Sequence, residues 1–283
     1  YDTTKHLATP VISDAKVGLQ QISEALGDWK APDPWYQRAI KERDKWDAYV
    51  EKQSGPTNQE EPSYAHAVGA IYRNSDPSDI VVTAAGGLVG EVVQVWKPKQ
   101  LNTFETEWGF SCMGYEISGA LGIKMAKPDQ DVVVFVGDGS YLLQNSDIYS
   151  SVIYDKKLII VVCDNSGHMV INRLQLAKGG KEYLCGLKTS RASNFVEVDF
   201  AAHAKSMGAE SETVTSTSEL EVAFKRAKES KKTYVIVIKT HGYEWLEGTA
   251  FWESPTLEVH TTDENKKAYA DHLDGKKKQR KGV

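Results

Sequence analysis

Two short polar turns hold the residues in this chain that could do chemistry. Gly137-Asp138-Gly139-Ser140 follows the apolar run 132–136, and Asp164-Asn165-Ser166-Gly167 follows a second apolar run, 158–163. Asn165 stands 27 positions after Asp138. If the two runs are parallel neighbouring strands, both turns leave the same edge of one sheet, where open α/β sheets keep their ligands. Asp138 there offers a carboxylate to a hard cation such as Mg²⁺, which takes one or two carboxylates, waters and phosphate oxygens. Asn165 adds a neutral side-chain oxygen, and Gly167 a backbone carbonyl. Such a cation would clamp a diphosphate against the start of the helix expected after Ser140.

Other uses of these residues stand beside that one. A Gly-Asp-Gly stretch is also an ordinary turn whose aspartate caps a helix. Phosphatases of the haloacid dehalogenase kind carry a late Gly-Asp-Gly too, but they need an upstream strand ending in Asp-x-Asp, and this sequence has none.

The elements that must position these turns can be read from periodicity. Ile80–Ala84 is a short β-branched run followed at once by Gly86-Gly87-Leu88-Val89-Gly90, a strand-to-helix turn that could approach a phosphate or could be small for steric reasons alone. Helices are expected at 64–72, 116–125, 200–207 and 218–230, and strands at 210–215 and 234–239. The small-residue helix 116–125 is expected to pack closely on a neighbour. One amphipathic helix is expected between the two apolar runs. Strands alternating with helices of this length predict an α/β domain with a mostly parallel sheet and helices on both faces. Residues 168–195 read as a long loop with one short helix, and loops of that length are usually functional. His168, Asn172 and Arg173 are its candidates for substrate contact.

Residues 1–60 are polar and helical, with Ala15, Leu19, Ile22 and Leu26 on one stripe. They form an arm rather than a domain. Residues 61–258 form the α/β domain and 259–283 a tail. The basic cluster from Lys276 to Lys281 is expected to be a solvated end. With 41% apolar residues the chain can bury a large core, while a net charge of −5 and a pI of 5.9 argue against a nucleic-acid surface. No apolar run reaches membrane-spanning length, so the expectation is a soluble, cytoplasmic protein. Cys112, Cys163 and Cys185 lack metal-ligand spacing and read as small buried apolar residues.

The stretch 137–167 resembles the diphosphate-binding motif of the thiamine diphosphate enzymes, which opens with Gly-Asp-Gly and closes on Asn. The resemblance implies that Asp138, Asn165 and the carbonyl of Gly167 hold Mg²⁺, with Gly137, Gly139 and Ser140 around the diphosphate. WGFSCMGYEISGALG resembles that family's segment beneath the thiazolium. It implies that Met113 props the cofactor in a bent shape and that the Ser111 carbonyl receives its aminopyrimidine amine. AAGGLVGEVVQVW then corresponds to the first loop at the diphosphate end, with Gly86, Gly87 and Leu88. Within the family, GFSCMGYE, SGALGIKMA, VGDGSYL, INRLQ, VDFAA and the late GYE and FWE strings resemble the hydrolases that open a cyclic polyhydroxy 1,2-dione in inositol breakdown. Two positions depart from that pattern, since Val93 and Glu253 stand where His is expected.

The same resemblance covers essentially the whole chain. It implies that residues 1–60 are the end of a middle domain plus a linker, and that the glutamate activating the cofactor belongs to a separate, N-terminal pyrimidine-binding domain. The chain opens at Tyr1 rather than Met, so the C-terminal portion of a longer protein is expected, acting as a homodimer or homotetramer. An acetolactate synthase-like carboligase or decarboxylase of 2-keto acids remains an alternative. So does a non-catalytic module that only binds Mg-diphosphate.

Overall fold

The computed structural model describes residues 8–189, 196–247 and 259–278. In chain order, α1 (Ala15–Leu26) and α2 (Asp33–Gln53) precede α3 (Tyr64–Arg73), β1 (Ile80–Thr83), α4 (Gly86–Val95), β2 (Phe104–Thr106), α5 (Tyr115–Ala126) and β3 (Val132–Gly137). There follow α6 (Asp138–Leu143), α7 (Asp147–Ile153), β4 (Ile159–Asp164), α8 (Met169–Ala177), α9 (Phe200–Ser206), β5 (Glu210–Val214), α10 (Thr217–Glu229), β6 (Tyr234–Lys239) and α11 (Asp263–Lys278).

The central strands VVVFVG and IIVVCD are apolar on both faces, so each face needs a cover. Six strands pair in parallel in the order β2-β1-β3-β4-β6-β5. Val133 and Phe135 of β3 face one core, shared with α3, α4 and α10. Val132, Val134 and Val136 alternate to the other, shared with α5, α6, α7 and α9. The expected parallel α/β sheet with helices on both faces is therefore the architecture found.

Two consequences of this topology place the site. The chain leaves β1 for β2 on one side and returns to β3 on the other, which makes a switch point at the C-terminal ends of β1 and β3. Gly137 of β3 is also in register with Cys163 of β4, so the turns after them emerge side by side.

Several elements differ from the reading of the sequence. The segment between β3 and β4 is two short helices, and α6 begins at Asp138 itself, so Gly139 and Ser140 lie inside its first turn. β2, a three-residue edge strand, is too short to show periodicity. By contrast α8, nine residues long, is the one short helix expected within the 168–195 loop. α5 packs on β3 and β1 through Ile117, Ala120 and Leu121, but Gly122 faces open space rather than a close neighbour. The expected tail carries α11, whose Asn265 is buried and donates to the carbonyl of Gly179 at 2.6 Å. Of the three cysteines only Cys163 is buried, because β4 is a central strand; Cys112 is exposed and Cys185 half-buried in loops. In the arm, α2 docks through Val50, Trp46 and Tyr49, whereas Leu19, Ile22 and Leu26 of α1 stay exposed. No helix among the described residues is long and apolar enough to cross a membrane.

Candidate functional site

A cleft of 450 Å³ opens at the switch point. Its lining includes Gly86, Gly87 and Leu88 after β1, Ser111 and Met113 before α5, residues 137–140 after β3, and Gly167 with His168 after β4. All but one of the cofactor- and metal-binding residues expected from the sequence therefore converge on one cavity. Asn165 is the exception. It borders a second cavity of 220 Å³ behind the same turn and reaches the cleft lining through Tyr64, whose hydroxyl accepts from Asn165 Nδ2 at 2.7 Å. Asn165 Oδ1 is buried without a hydrogen-bond partner.

Asp138 is 1% exposed, yet its two oxygens are held apart for different tasks. Oδ1 accepts from the Gly139 N–H at 2.9 Å and Oδ2 from the Gly167 N–H at 2.6 Å. Burial and the neighbouring Asp164 push its carboxyl up to about 7. Both effects oppose a bare negative charge here, and a cation would offset both. Asp164 itself pairs with Lys239 at 2.5 Å.

The donor set also says what kind of cation could fit. Among the described residues no three His, Cys, Asp or Glu side chains come together, so a zinc-type centre is not built. One carboxylate, an unpaired amide oxygen and a backbone carbonyl suit a hard ion that completes its shell with phosphate oxygens. At the other wall α4 begins without a side-chain cap, leaving the first N–H groups of a ten-residue helix free for an anion. The residues present thus fit a metal-bridged diphosphate. A Cβ on Gly139 would lie 2.4 Å from the His168 ring, so any larger residue there would displace His168 from the cleft.

Two carboxylates that sequence reasoning passed over shape the loop beneath the cleft. Buried Glu116, in the first turn of α5, accepts from the N–H groups of Gly114 at 2.8 Å and Ala85 at 3.2 Å, tying the loop before α5 to the loop before α4. Glu107 accepts from the N–H groups of Phe110 and Cys112 at 2.9 and 2.7 Å. Between these clamps Ser111 adopts a left-handed φ of 51°. Glu116 could have been noticed as an acidic residue at the start of an otherwise small and apolar helix. Tyr64, the first residue of α3, carries no such signal.

Of the three candidates for substrate contact, only His168 lines the cleft. Asn172 is 1% exposed, and Arg173 lies over the Trp245 ring at 4.8 Å. Val93 is exposed on α4, and Glu253 falls outside the described residues.

Beside Trp245, Glu91 is buried and accepts from the Leu246 N–H at 3.1 Å. Burial raises its carboxyl to about 7, with Arg173 pulling the other way. A group raised on folding contributes stability that is fully present below its unfolded value and is lost as pH rises through the folded one. Glu91→Gln keeps the acceptor for Leu246 and removes the titration. It is expected to stabilise the protein at pH 8 by about 3 kcal/mol, with the gain vanishing near pH 4. Urea denaturation at the two pH values measures it.

The profile described as "Thiamine pyrophosphate enzyme, C-terminal TPP binding domain" matches residues 84–238. Among curated proteins, the 3D-(3,5/4)-trihydroxycyclohexane-1,2-dione hydrolase of Lacticaseibacillus casei is 32% identical over 93% of this chain and 45% of its own length. That of Geobacillus thermodenitrificans is 31% identical over 99% of this chain and 48% of its own. The chain thus spans about half the length of the curated relatives it matches. Among solved structures, the thiamine diphosphate-dependent 4-hydroxybenzoylformate decarboxylase of Rhodococcus jostii RHA1 superposes with a TM-score of 0.57 at 16% identity, over 65% of this chain and 34% of that one. Benzoylformate decarboxylase from Polynucleobacter necessarius gives 0.54 at 23%, over 68% and 36%. At those identities the likeness is one of fold.

Proposed function

Because the chain belongs to the thiamine pyrophosphate enzymes through their C-terminal cofactor-binding domain, we propose that its cleft holds the diphosphate end of thiamine diphosphate together with Mg²⁺. The observation that carries this reading is the buried, unpartnered Asn165 Oδ1 close to the Asp138 turn. Asp138, Asn165 and the Gly167 carbonyl would hold the cation. Backbone groups of Gly86, Gly87, Leu88, Gly137 and Gly139, with the Ser140 side chain, would hold the phosphates. Ser111 would receive the aminopyrimidine through its carbonyl, and Met113 would support the thiazolium.

When bound, the cofactor supplies an electron sink beside a substrate carbonyl. The protein residues bind it, orient it and exclude water. For the complete protein we propose hydrolytic ring opening of a cyclic polyhydroxy 1,2-dione in inositol breakdown, in the cytoplasm. The bond between the two carbonyl carbons breaks and one water is taken up, leaving a carboxyl and an aldehyde end, as in 5-deoxyglucuronate. The relatives bearing that activity in their names, aligned over almost the whole chain, support this reading over a 2-keto-acid decarboxylase or carboligase.

The glutamate that activates the cofactor belongs, in this reading, to a pyrimidine-binding domain in the rest of a full-length protein, contributed within a homodimer or homotetramer. Residues 1–60 would then be the end of a middle domain with its linker, 61–258 the cofactor domain and 259–283 a tail. Exposed Trp108, Phe110, Met113, Leu142 and Leu143 support such a cover: Met113 lines the cleft, Trp108 and Phe110 precede it in the same loop, and Leu142 and Leu143 lie on α6, which starts at Asp138. These 283 residues alone are expected to turn over no substrate, and the full-length protein to open the cyclic dione but leave pyruvate unchanged. Product analysis by mass spectrometry decides it. Turnover by the short chain would overturn the partner domain, and products from pyruvate would favour the carboligase.

A further inference from the structure

Asn165 can serve a cation only through one of its two amide atoms. Its oxygen attracts a cation and its NH₂ repels one, yet the two have nearly the same size and shape. Something must therefore distinguish them, and Tyr64 is placed to do so. Its hydroxyl accepts from Asn165 Nδ2 at 2.7 Å, leaving Oδ1 buried and free. The Tyr64 oxygen also lies 3.9 Å from where a Cβ on Gly137 would stand, which puts it between the Gly-Asp-Gly turn and Asn165. The ring is 5% exposed and packed edge-on against Trp245, with centroids 5.7 Å apart, so the hydroxyl has little freedom to wander.

We propose that Tyr64 is a positioning residue for the metal: by accepting from the Asn165 NH₂ it fixes the amide so that the oxygen faces the cation. A second layer of this kind commonly changes metal affinity by about 10–100-fold when removed. Without the hydroxyl the buried NH₂ loses its acceptor, so the side chain favours orientations that turn Oδ1 away from the ion, and Mg²⁺ affinity falls in proportion to the lost population of the competent one. The inference rests on the cofactor reading above. It concerns orientation, so it makes a demand that a merely structural tyrosine would not meet. In Asn165→Asp both side-chain atoms are oxygens, and the tyrosine should cease to matter.

The test is calorimetric titration of Mg²⁺ into the full-length protein saturated with thiamine diphosphate, for four proteins: wild type, Tyr64→Phe, Asn165→Asp and the double variant. Tyr64→Phe keeps the ring and its contact with Trp245. The expected result is at least tenfold weaker Mg²⁺ binding for Tyr64→Phe in the Asn165 background and less than threefold in the Asp background. Equal losses in both backgrounds, or no loss in the first, would overturn the inference. Tyr64→Met, which can fill the same space flexibly, carries the same comparison if the Phe variant does not fold. A wild type that binds thiamine diphosphate with no dependence on Mg²⁺ would instead sink the cofactor reading, a separate outcome.

Discussion

Asp138→Ala is expected to abolish Mg²⁺-dependent binding of thiamine diphosphate, weakening it by at least about a thousandfold, or about 4 kcal/mol. The reason is the sparseness of the donor set. In the proposed ligand set Asp138 is the one carboxylate, since the neighbouring Asp164 is paired with Lys239, and Asn165 and a carbonyl add only dipoles. The same substitution should change folding stability little. It removes a buried carboxylate whose charge is opposed by burial and by Asp164, which favours the variant. It also strands the N–H groups of Gly139 and Gly167, which disfavours it. These contributions have opposite sign and similar size. Calorimetry with and without Mg²⁺, beside a thermal melt of the metal-free protein, separates the two effects. A variant that still binds the cofactor in a metal-dependent way would remove Asp138 from the proposed ligand set.

That separation also explains how much of the site could be read in the sequence. Asp138 and Asn165 were legible because each follows a continuous apolar strand, and parallel register carries such turns to one edge by geometry alone. Gly86 to Leu88 were legible for the same reason, after β1. What the sequence hid are contacts between elements far apart in the chain. Tyr64 reaches Asn165 across 101 positions and the Leu246 N–H reaches Glu91 across 155, and no local period encodes either pair. Glu116 is hidden differently. Its partners are backbone N–H groups, which every residue has, so nothing in the partner sequence points back to it. The fold was nearly complete at the level of elements, and failed where an element was too short for a period to show or, like the 16-residue α11, too polar to carry an apolar stripe. β2 has three residues and α6 six, and α6 starts at the aspartate that the sequence alone suggested as a cap before a later helix.

Gly167→Ala is expected to damage both stability and cofactor binding, because the constraint on this position comes from backbone. Residues 166–168 run antiparallel to 185–187: the His168 N–H donates to the Cys185 carbonyl at 2.8 Å and the Leu187 N–H to the Ser166 carbonyl at 2.7 Å. A Cβ on Gly167 would lie 2.5 Å from the Cys185 carbonyl oxygen and 2.8 Å from Gly186 Cα. Neither atom can rotate away, so the pairing must open. Opening it withdraws the Gly167 N–H from Asp138 and moves the carbonyl proposed as the third oxygen ligand. A loss of about 2–3 kcal/mol in unfolding free energy is expected, with cofactor binding about a hundredfold weaker, or about 2.7 kcal/mol. Gly90→Ala is the matched control. A Cβ there meets nothing within 4 Å, and alanine inside α4 should stabilise the protein by about 0.5–1 kcal/mol. Urea denaturation and calorimetry on both variants decide the matter. If Gly167→Ala binds the cofactor as the wild type does, the 166–168 pairing is not what holds the Gly167 carbonyl at the cation, and the third ligand must be sought elsewhere in the cleft.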